Sequence, residues 1–426
     1  VVAVAAALGA AVVAAVLVLT GGTDRVAEQA SPPAALPERP PADPGAPAPT
    51  PAPAPGQPPE PADPAEPVEP VVPAEPVVPV ACPAEVSEAI CDAAAFVQRE
   101  AGRAFHRFPT VELEDDAGFR ARLLADFDEG VEDLEALGAT LTAMGMIDPG
   151  TDVVAAVADL LSVAVVGFYD PETEELVVRG GELTPYTRIV VVHELVHALD
   201  DQWFELHRPE YEERDDEVGF GFLAVLEGHA GVIEDRYRQA LSPAEQRQAV
   251  QEEIQLVMQA GIDVFALPPV LLELLVAPYG PGQRLVERIL AEQGPDGLAA
   301  AFADPPTTSS QVLHPELYFA REPAVEVPAP PADGEVVDEG VVGELVLGLW
   351  LGSAEVATGW GGDRYVTWRQ GSGWCFRTDV VMRTEADLAR LRAAVERWVA
   401  QAPDRRTVQP LDPADLPTPG LRATGC

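Results

Sequence analysis

Two stretches of the chain concentrate apolar positions around a few polar residues. From Ile189 to Leu199 the only acidic or basic side chain besides two histidines is Glu194. Such a run predicts a helix through the core over Arg188–Asp201, with Thr184 as N-cap and Pro185 as its first helical residue. A second helix is predicted over Val218–Tyr237, where Phe220, Phe222, Leu223, Leu226, Val232 and Ile233 form a mostly apolar face.

Weaker patterns fill in the rest. Val163–Tyr169 and Glu175–Arg179 are rich in β-branched residues and flank Asp170-Pro171-Glu172-Thr173, so they read as a hairpin. Helices are expected over Pro83–Arg103, Ala117–Leu137 and Val153–Leu161, and a short strand over Thr110–Leu113. Ser242-Pro243-Ala244-Glu245 is a capping-box start for a helix reaching Ala260. Pro268–Tyr279 and Gly282–Glu292 read as further helices. After a loop over Glu322–Glu339, the strands Glu344–Leu351, Tyr365–Arg369 and Trp374–Met382 lead to a helix over Glu385–Ala400. Gly359–Tyr365 is read as a tight turn. The layout is α+β.

Chemistry enters with His193-Glu194-Leu195-Val196-His197. Histidines at i and i+4 lie on one helical face, so both imidazoles can reach one cation. Zn²⁺ suits imidazole nitrogen, and two histidines leave room for a third protein ligand and a water. Glu194 projects close by and can take a proton from that water. The third ligand is expected from the second helix. Glu227 sits between Leu226 and Gly228, and a carboxylate in apolar surroundings needs a partner or a metal. The small residues Gly228, Ala230 and Gly231 would let this helix approach the first closely. His229, two residues on, faces elsewhere. The set is therefore one Zn²⁺ on His193, His197 and Glu227, with Glu194 as general base.

HExxH followed about thirty residues later by a helical Glu resembles the gluzincins, the thermolysin-like zinc metallopeptidases. A closer resemblance is to bacterial secreted or membrane-tethered proteins that share a stretch like Gly167–Thr173, then HELxHALxDQ (His193–Gln202), then Glu-Gly-(Asp/His)-Ala (Glu227–Ala230). The resemblance runs from about Cys82 to Val399. It implies a gluzincin-like fold: a small upstream β-sheet, the HExxH helix, a mainly helical second lobe and a C-terminal strand and helix region. It also implies a zinc metallopeptidase acting on a peptide or protein substrate. In thermolysin an Asp four residues beyond the third ligand orients a zinc-bound His, whereas this chain has Gly231 there. Asp200, Asp201 and Asp235 are the candidates for that second-shell role. Tyr237 and His314, with His229 and Tyr318 beside them, are candidates to stabilise the oxyanion.

Composition adds the setting. Residues 1–20 carry no charge and form an apolar run of spanning length, read as a membrane anchor or, alternatively, a signal segment. Residues 21–80 form a Pro-rich acidic linker, with 20 prolines between Ser31 and Val80. A polyproline II stalk of that length would reach roughly 150 Å. Residues 81–321 are expected to be the catalytic domain, and 322–426 a C-terminal α/β region packed on it. The net charge is −43, and the linker accounts for only −7 of it, so the globular part is strongly acidic. That argues against nucleic acid and anionic lipid as partners and leaves the N-terminal segment as the membrane contact.

The four cysteines, Cys82, Cys91, Cys375 and Cys426, suit an oxidising compartment. Were Pro83–Arg103 one unbroken helix, Cys82 and Cys91 would stand about 13 Å apart along its axis. Each would then need Cys375 or Cys426, whereas a break in the helix restores an 82–91 bridge. Together these readings predict an extracytoplasmic, membrane-tethered zinc metallopeptidase. The alternatives are a secreted form, a non-catalytic peptide-binding surface module, and a zinc hydrolase of a non-peptide bond. Nothing in the sequence signals an oligomeric state.

Overall fold

Residue periodicity explains how the first sheet is built. In Glu175–Arg179, Leu176 and Val178 point to one face and Val177 to the other, and all three are fully buried. The computed structural model describes residues 80–426, apart from 126, 213–215, 260–266 and 413–417. The expected anchor and almost all of the linker therefore lie outside the described residues. Among the described residues, no helix is long and apolar enough to cross a membrane.

In chain order, the first part comprises α1 (Glu88–Ala101), β1 (Thr110–Glu114), α2 (Asp116–Leu123), a 3₁₀ turn (Phe127–Gly130), α3 (Val131–Met144), α4 (Val153–Ala164), β2 (Gly167–Asp170) and β3 (Glu175–Arg179). Next come α5 (Pro185–Phe204), α6 (Pro209–Glu212), α7 (Asp216–Ala240), α8 (Pro243–Gln259), α9 (Pro269–Val276), α10 (Tyr279–Ala303), α11 (Ser309–Leu313) and α12 (Pro315–Phe319). The rest is β4 (Glu335–Gly340), α13 (Gly343–Leu351), α14 (Ala354–Ala357), β5 (Trp360–Gln370), β6 (Gly373–Met382), α15 (Glu385–Gln401), β7 (Arg406–Pro410) and β8 (Gly420–Gly425). The architecture is mixed α+β, as expected.

The first sheet has the order β1-β3-β2, with β1 parallel and β2 antiparallel to β3. One face, through Tyr169, Leu176 and Val178, packs on α1 and α5. The other, through Phe168 and Val177, packs on α2, α4 and α9. β2 is an edge strand, and α5 runs beside it. A second core joins α7 to α10 through Phe222, Leu226, Leu285, Ile289 and Phe302. A third wraps the C-terminal sheet, order β4-β5-β6-β8-β7, with α3, α13 and α15.

Several expectations need correction. The expected helix over Ala117–Leu137 is two helices, α2 and α3, joined by the 3₁₀ turn. Val163 and Ala164 belong to α4, and the strand begins only at Gly167. Glu344–Leu351 is the helix α13 and not a strand. Its sequence is apolar almost all round, so periodicity could not separate the two; the buried positions Glu344, Leu347 and Gly348 show the helical spacing. The expected turn Gly359–Tyr365 lies mostly within β5. Its glycines mark a bulge, where a Cβ on Gly362 would strike the Val325 carbonyl of a crossing segment. The expected loop 322–339 contains most of β4.

The cysteines resolve by the broken-helix route. Ser87 caps α1 and keeps residues 82–87 out of the helix, and Cys82 bonds Cys91 with their Cα atoms 5.6 Å apart. Cys375 bonds Cys426 across the neighbouring strands β6 and β8.

Candidate metal centre

The site is built on α5. Its start follows the sequence: the Thr184 hydroxyl accepts the Thr187 N–H, and Pro185 occupies the first turn. Two turns on, the His193 and His197 rings stand with centroids 4.7 Å apart. Glu227 comes from α7. Its Oε2 lies 3.1 Å from His193 Nε2 and 3.6 Å from His197 Nε2. One ligand atom from each of these three residues falls within 4.8 Å of the other two, and all three side chains are buried.

The helices meet here because of small residues, though not quite as the sequence implied. Ala230 faces α5 and joins its core. Gly228 instead serves α10: a Cβ there would collide with the Gly282 backbone, and one on Gly282 with Ala224. Gly231 lies beside Gln283 of α10.

Among the described residues, Glu227 Oε1, Glu194 Oε1 and both ring nitrogens of His197 are buried without a hydrogen-bond partner. Buried polar atoms are nearly always paired, and an unpaired one costs about 1–3 kcal/mol. Four such atoms on three neighbouring residues fit a centre that a cation completes. Two imidazoles and one carboxylate are a donor set suited to a divalent transition metal with a coordination position left open. The His193–His197–Glu227 group can bind a metal ion.

Glu194 is 0 % exposed. Its Oε2 accepts the Tyr169 N–H at 3.0 Å. That N–H points outward from the edge of the sheet, so strand β2 holds the carboxylate. Gly167, in the same strand, gives it room: a Cβ there would stand 3.0 Å from Val190 Cγ1 and 3.6 Å from Glu194 Cγ. Burial pushes the Glu194 carboxyl up to about 7, against the pull of the two histidines.

The outer partner of the centre is Glu234, which sequence reasoning missed. Its Oε2 lies 2.9 Å from His193 Nδ1, and its Oε1 accepts Arg238 Nε at 2.8 Å. A carboxylate behind a ligating histidine fixes the tautomer that frees the other nitrogen for the metal. The available signal was spacing: Glu234 lies seven residues, two helical turns, beyond Glu227 and so on the same face. Tyr279, at the start of α10, was missed as well. Its buried ring lies 6.4 Å from that of His193. Burial, then the charges of Glu227 and Glu194, raise its phenol well above the usual range.

The residues expected in supporting roles sit elsewhere. Asp200 pairs with His229 at 2.6 Å, which turns His229 away from a ligand role. Asp201 accepts the Tyr169 hydroxyl at 2.7 Å and the Leu206 N–H at 2.8 Å, finishing α5. Asp235 accepts Gln283 Nε2 at 2.8 Å. Tyr237 packs edge-on against Phe96 at 5.0 Å. His314 pairs with Glu344 at 2.8 Å, and the Tyr318 hydroxyl donates to the Asp304 carbonyl. Gln202 accepts the His106 and Arg107 N–H groups and donates to the Arg107 carbonyl. The latter part of the HELxHALxDQ stretch thus holds backbone in place.

No protein-family profile matches the chain, and no curated protein does. Among solved structures, the chain has a faint likeness to a crystal structure from Chloroflexus aurantiacus, described as a proposed hydrolase with a novel fold. The TM-score is 0.37 at 13 % identity, covering 55 % of this chain and 87 % of that one, which is too low to assign a fold or an activity.

Proposed function

We propose that this protein is a zinc-dependent metallopeptidase of gluzincin type, with zinc on His193, His197 and Glu227. The observation that carries the reading is the buried convergence of the three ligand atoms, with unpartnered polar atoms around them. The bound ion would supply Lewis acidity, making a water acidic near neutral pH and polarising the scissile carbonyl.

The chain's own residues would do the rest. Glu194 takes the proton of the attacking water on its unpartnered Oε1 and delivers it to the leaving amine. The Tyr169 N–H holds the other oxygen in place. Glu234 keeps His193 in the tautomer that presents Nε2. Tyr279 is the candidate donor to the developing oxyanion, in place of Tyr237 and His314.

An extracytoplasmic location is part of the proposal, supported by the bonding of all four cysteines as disulfides. So is tethering through residues 1–20. A second reading has one observation in its favour. His193, Glu194, His197 and Glu227 are at most 2 % exposed, which suits a small substrate of a non-peptide hydrolase better than an extended peptide.

A substrate screen of the zinc-loaded full chain against Glu194→Gln tests both. Peptide hydrolysis is expected, falling on the order of 10²–10⁴-fold in the variant with zinc content unchanged. Turnover of small esters or amides alone would favour the second reading. Bound zinc without turnover of any substrate would leave a binding module and overturn both.

A further inference from the structure

The two helices that carry the ligands are joined a second time, beside the centre, by a buried pair with no part in the proposed reaction. His229 of α7 and Asp200 of α5 meet at 2.6 Å between Nδ1 and Oδ2, and they are 5 % and 1 % exposed. His229 lies two residues beyond Glu227, and Asp200 three beyond His197. Apolar rings wall the pair in. Phe302 of α10 lies 6.4 Å from the His229 ring and stacks at 4.3 Å on Phe204, the last residue of α5. A hydrogen bond to a carboxylate in such surroundings is strong and directional.

We propose that the His229–Asp200 pair sets the spacing between α5 and α7 at the metal centre, so that both are positioning residues for Glu227. This role depends on the reading of His193, His197 and Glu227 as a metal site, but not on peptidase activity.

Metal bonds tolerate little misplacement. Zinc holds imidazole nitrogen and carboxylate oxygen at about 2.0–2.2 Å, with a tolerance of about 0.2 Å. Two ligands come from α5 and one from α7, so that tolerance falls on the distance between two helices. The other contacts of α7 set this distance loosely. Ala230 and Ile233 pack into the core of α5 through contacts without direction. Gly228 and Ala224 fit α7 against Gly282 of α10 and not against α5. Glu234 holds the ring of His193 and leaves the backbone of α5 free to shift. His229 and Asp200 instead join the two backbones through short side chains, within one turn of His197. Glu227 Oε2 lies 3.1 Å and 3.6 Å from Nε2 of His193 and His197, and the pair keeps it there.

The test is the dissociation constant for Zn²⁺, measured by competition with a chromophoric chelator, beside the unfolding midpoint in excess chelator. Both are read for the full chain and its variants. Asp200→Leu combined with His229→Leu replaces the pair by an apolar contact and strands no buried polar group. Asp200→Asn keeps a neutral hydrogen bond to His229 with the same reach. The double variant is expected to unfold near the wild-type midpoint yet bind zinc roughly tenfold more weakly, while Asp200→Asn stays within about threefold of the wild type. Should the double variant not fold, Asp200→Ser, too short to reach His229 but able to share a water with it, is expected to show the same loss. A merely structural pair would move the midpoint and leave the affinity alone. Unchanged affinity without the pair, or a loss in Asp200→Asn as large as in the double variant, would overturn the proposal while the metal centre stands. A wild type that binds no zinc would overturn both.

Discussion

Among the described residues, two clusters of buried carboxylates handle their charge in opposite ways. At the candidate metal centre, among the described residues, Glu194 and Glu227 each leave an oxygen without a hydrogen-bond partner, and His197 leaves both nitrogens so. At the joint between the helical lobe and the C-terminal sheet, Glu217, Glu344 and Asp363 are buried as well, yet their oxygens find donors. Glu217 accepts the Ser309 N–H and hydroxyl, and Glu344 accepts the Ser310 hydroxyl and faces His314. Asp363 accepts the N–H groups of Val342 and Gly343 and the Trp360 indole. Burial and charge alone do not mark a functional site. What separates these clusters is satisfaction: the joint pairs its own polar atoms, and the centre leaves polar atoms that fit a cation.

The contrast can be tested at the joint first, where the largest effect on stability is expected. Asp363→Ala strands three buried donors at once and should cost about 3 kcal/mol in denaturant unfolding. Zinc affinity should be unchanged, and a parallel loss of affinity would mean that the two clusters are one coupled unit.

Behind the centre, Glu234→Ala frees the His193 tautomer and leaves Arg238 without its carboxylate. Zinc affinity is expected to fall 10–100-fold by chelator competition. An unchanged affinity would remove Glu234 from the centre.

The smallest effect concerns His314, which stands on the structural side of the contrast. Its hydrogen bond to Glu344 raises it above the usual histidine range, against the opposing effect of burial. A group raised on folding stabilises fully below its unfolded value, about pH 6.5, and the contribution is lost as pH rises through the folded value. With about a third of the side chain exposed, His314→Gln should cost under about 1 kcal/mol near pH 6 and nothing in alkaline solution. A larger cost at high pH than at low pH would contradict the pairing.

What the sequence made legible was local. Thr184, Pro185 and the apolar run from Ile189 determine the HExxH helix within one segment, and Glu227 was marked by the apolar residues around it. The supporting residues were hidden because tertiary contacts choose them. Asp200, Asp201 and Asp235 were all plausible by proximity in the chain, yet Glu234 holds His193, since the partner depends on how α7 crosses α5. Tyr279 reaches the centre from α10, 52 residues beyond Glu227. Nothing in its own segment announces it. Glu344–Leu351 was misread for a different reason: a run apolar on every side carries no period. Its helix is set by Asp363, a residue that the sequence had placed in a turn.

The central claim is that the unpartnered atoms on α5 and α7 mark a metal site. Metal content of the purified full chain, without added zinc, compared with Glu227→Ala, tests it most directly. Close to one zinc per wild-type chain, absent from the variant, is the predicted result. A metal-free wild type, or zinc that survives removal of Glu227, would contradict it.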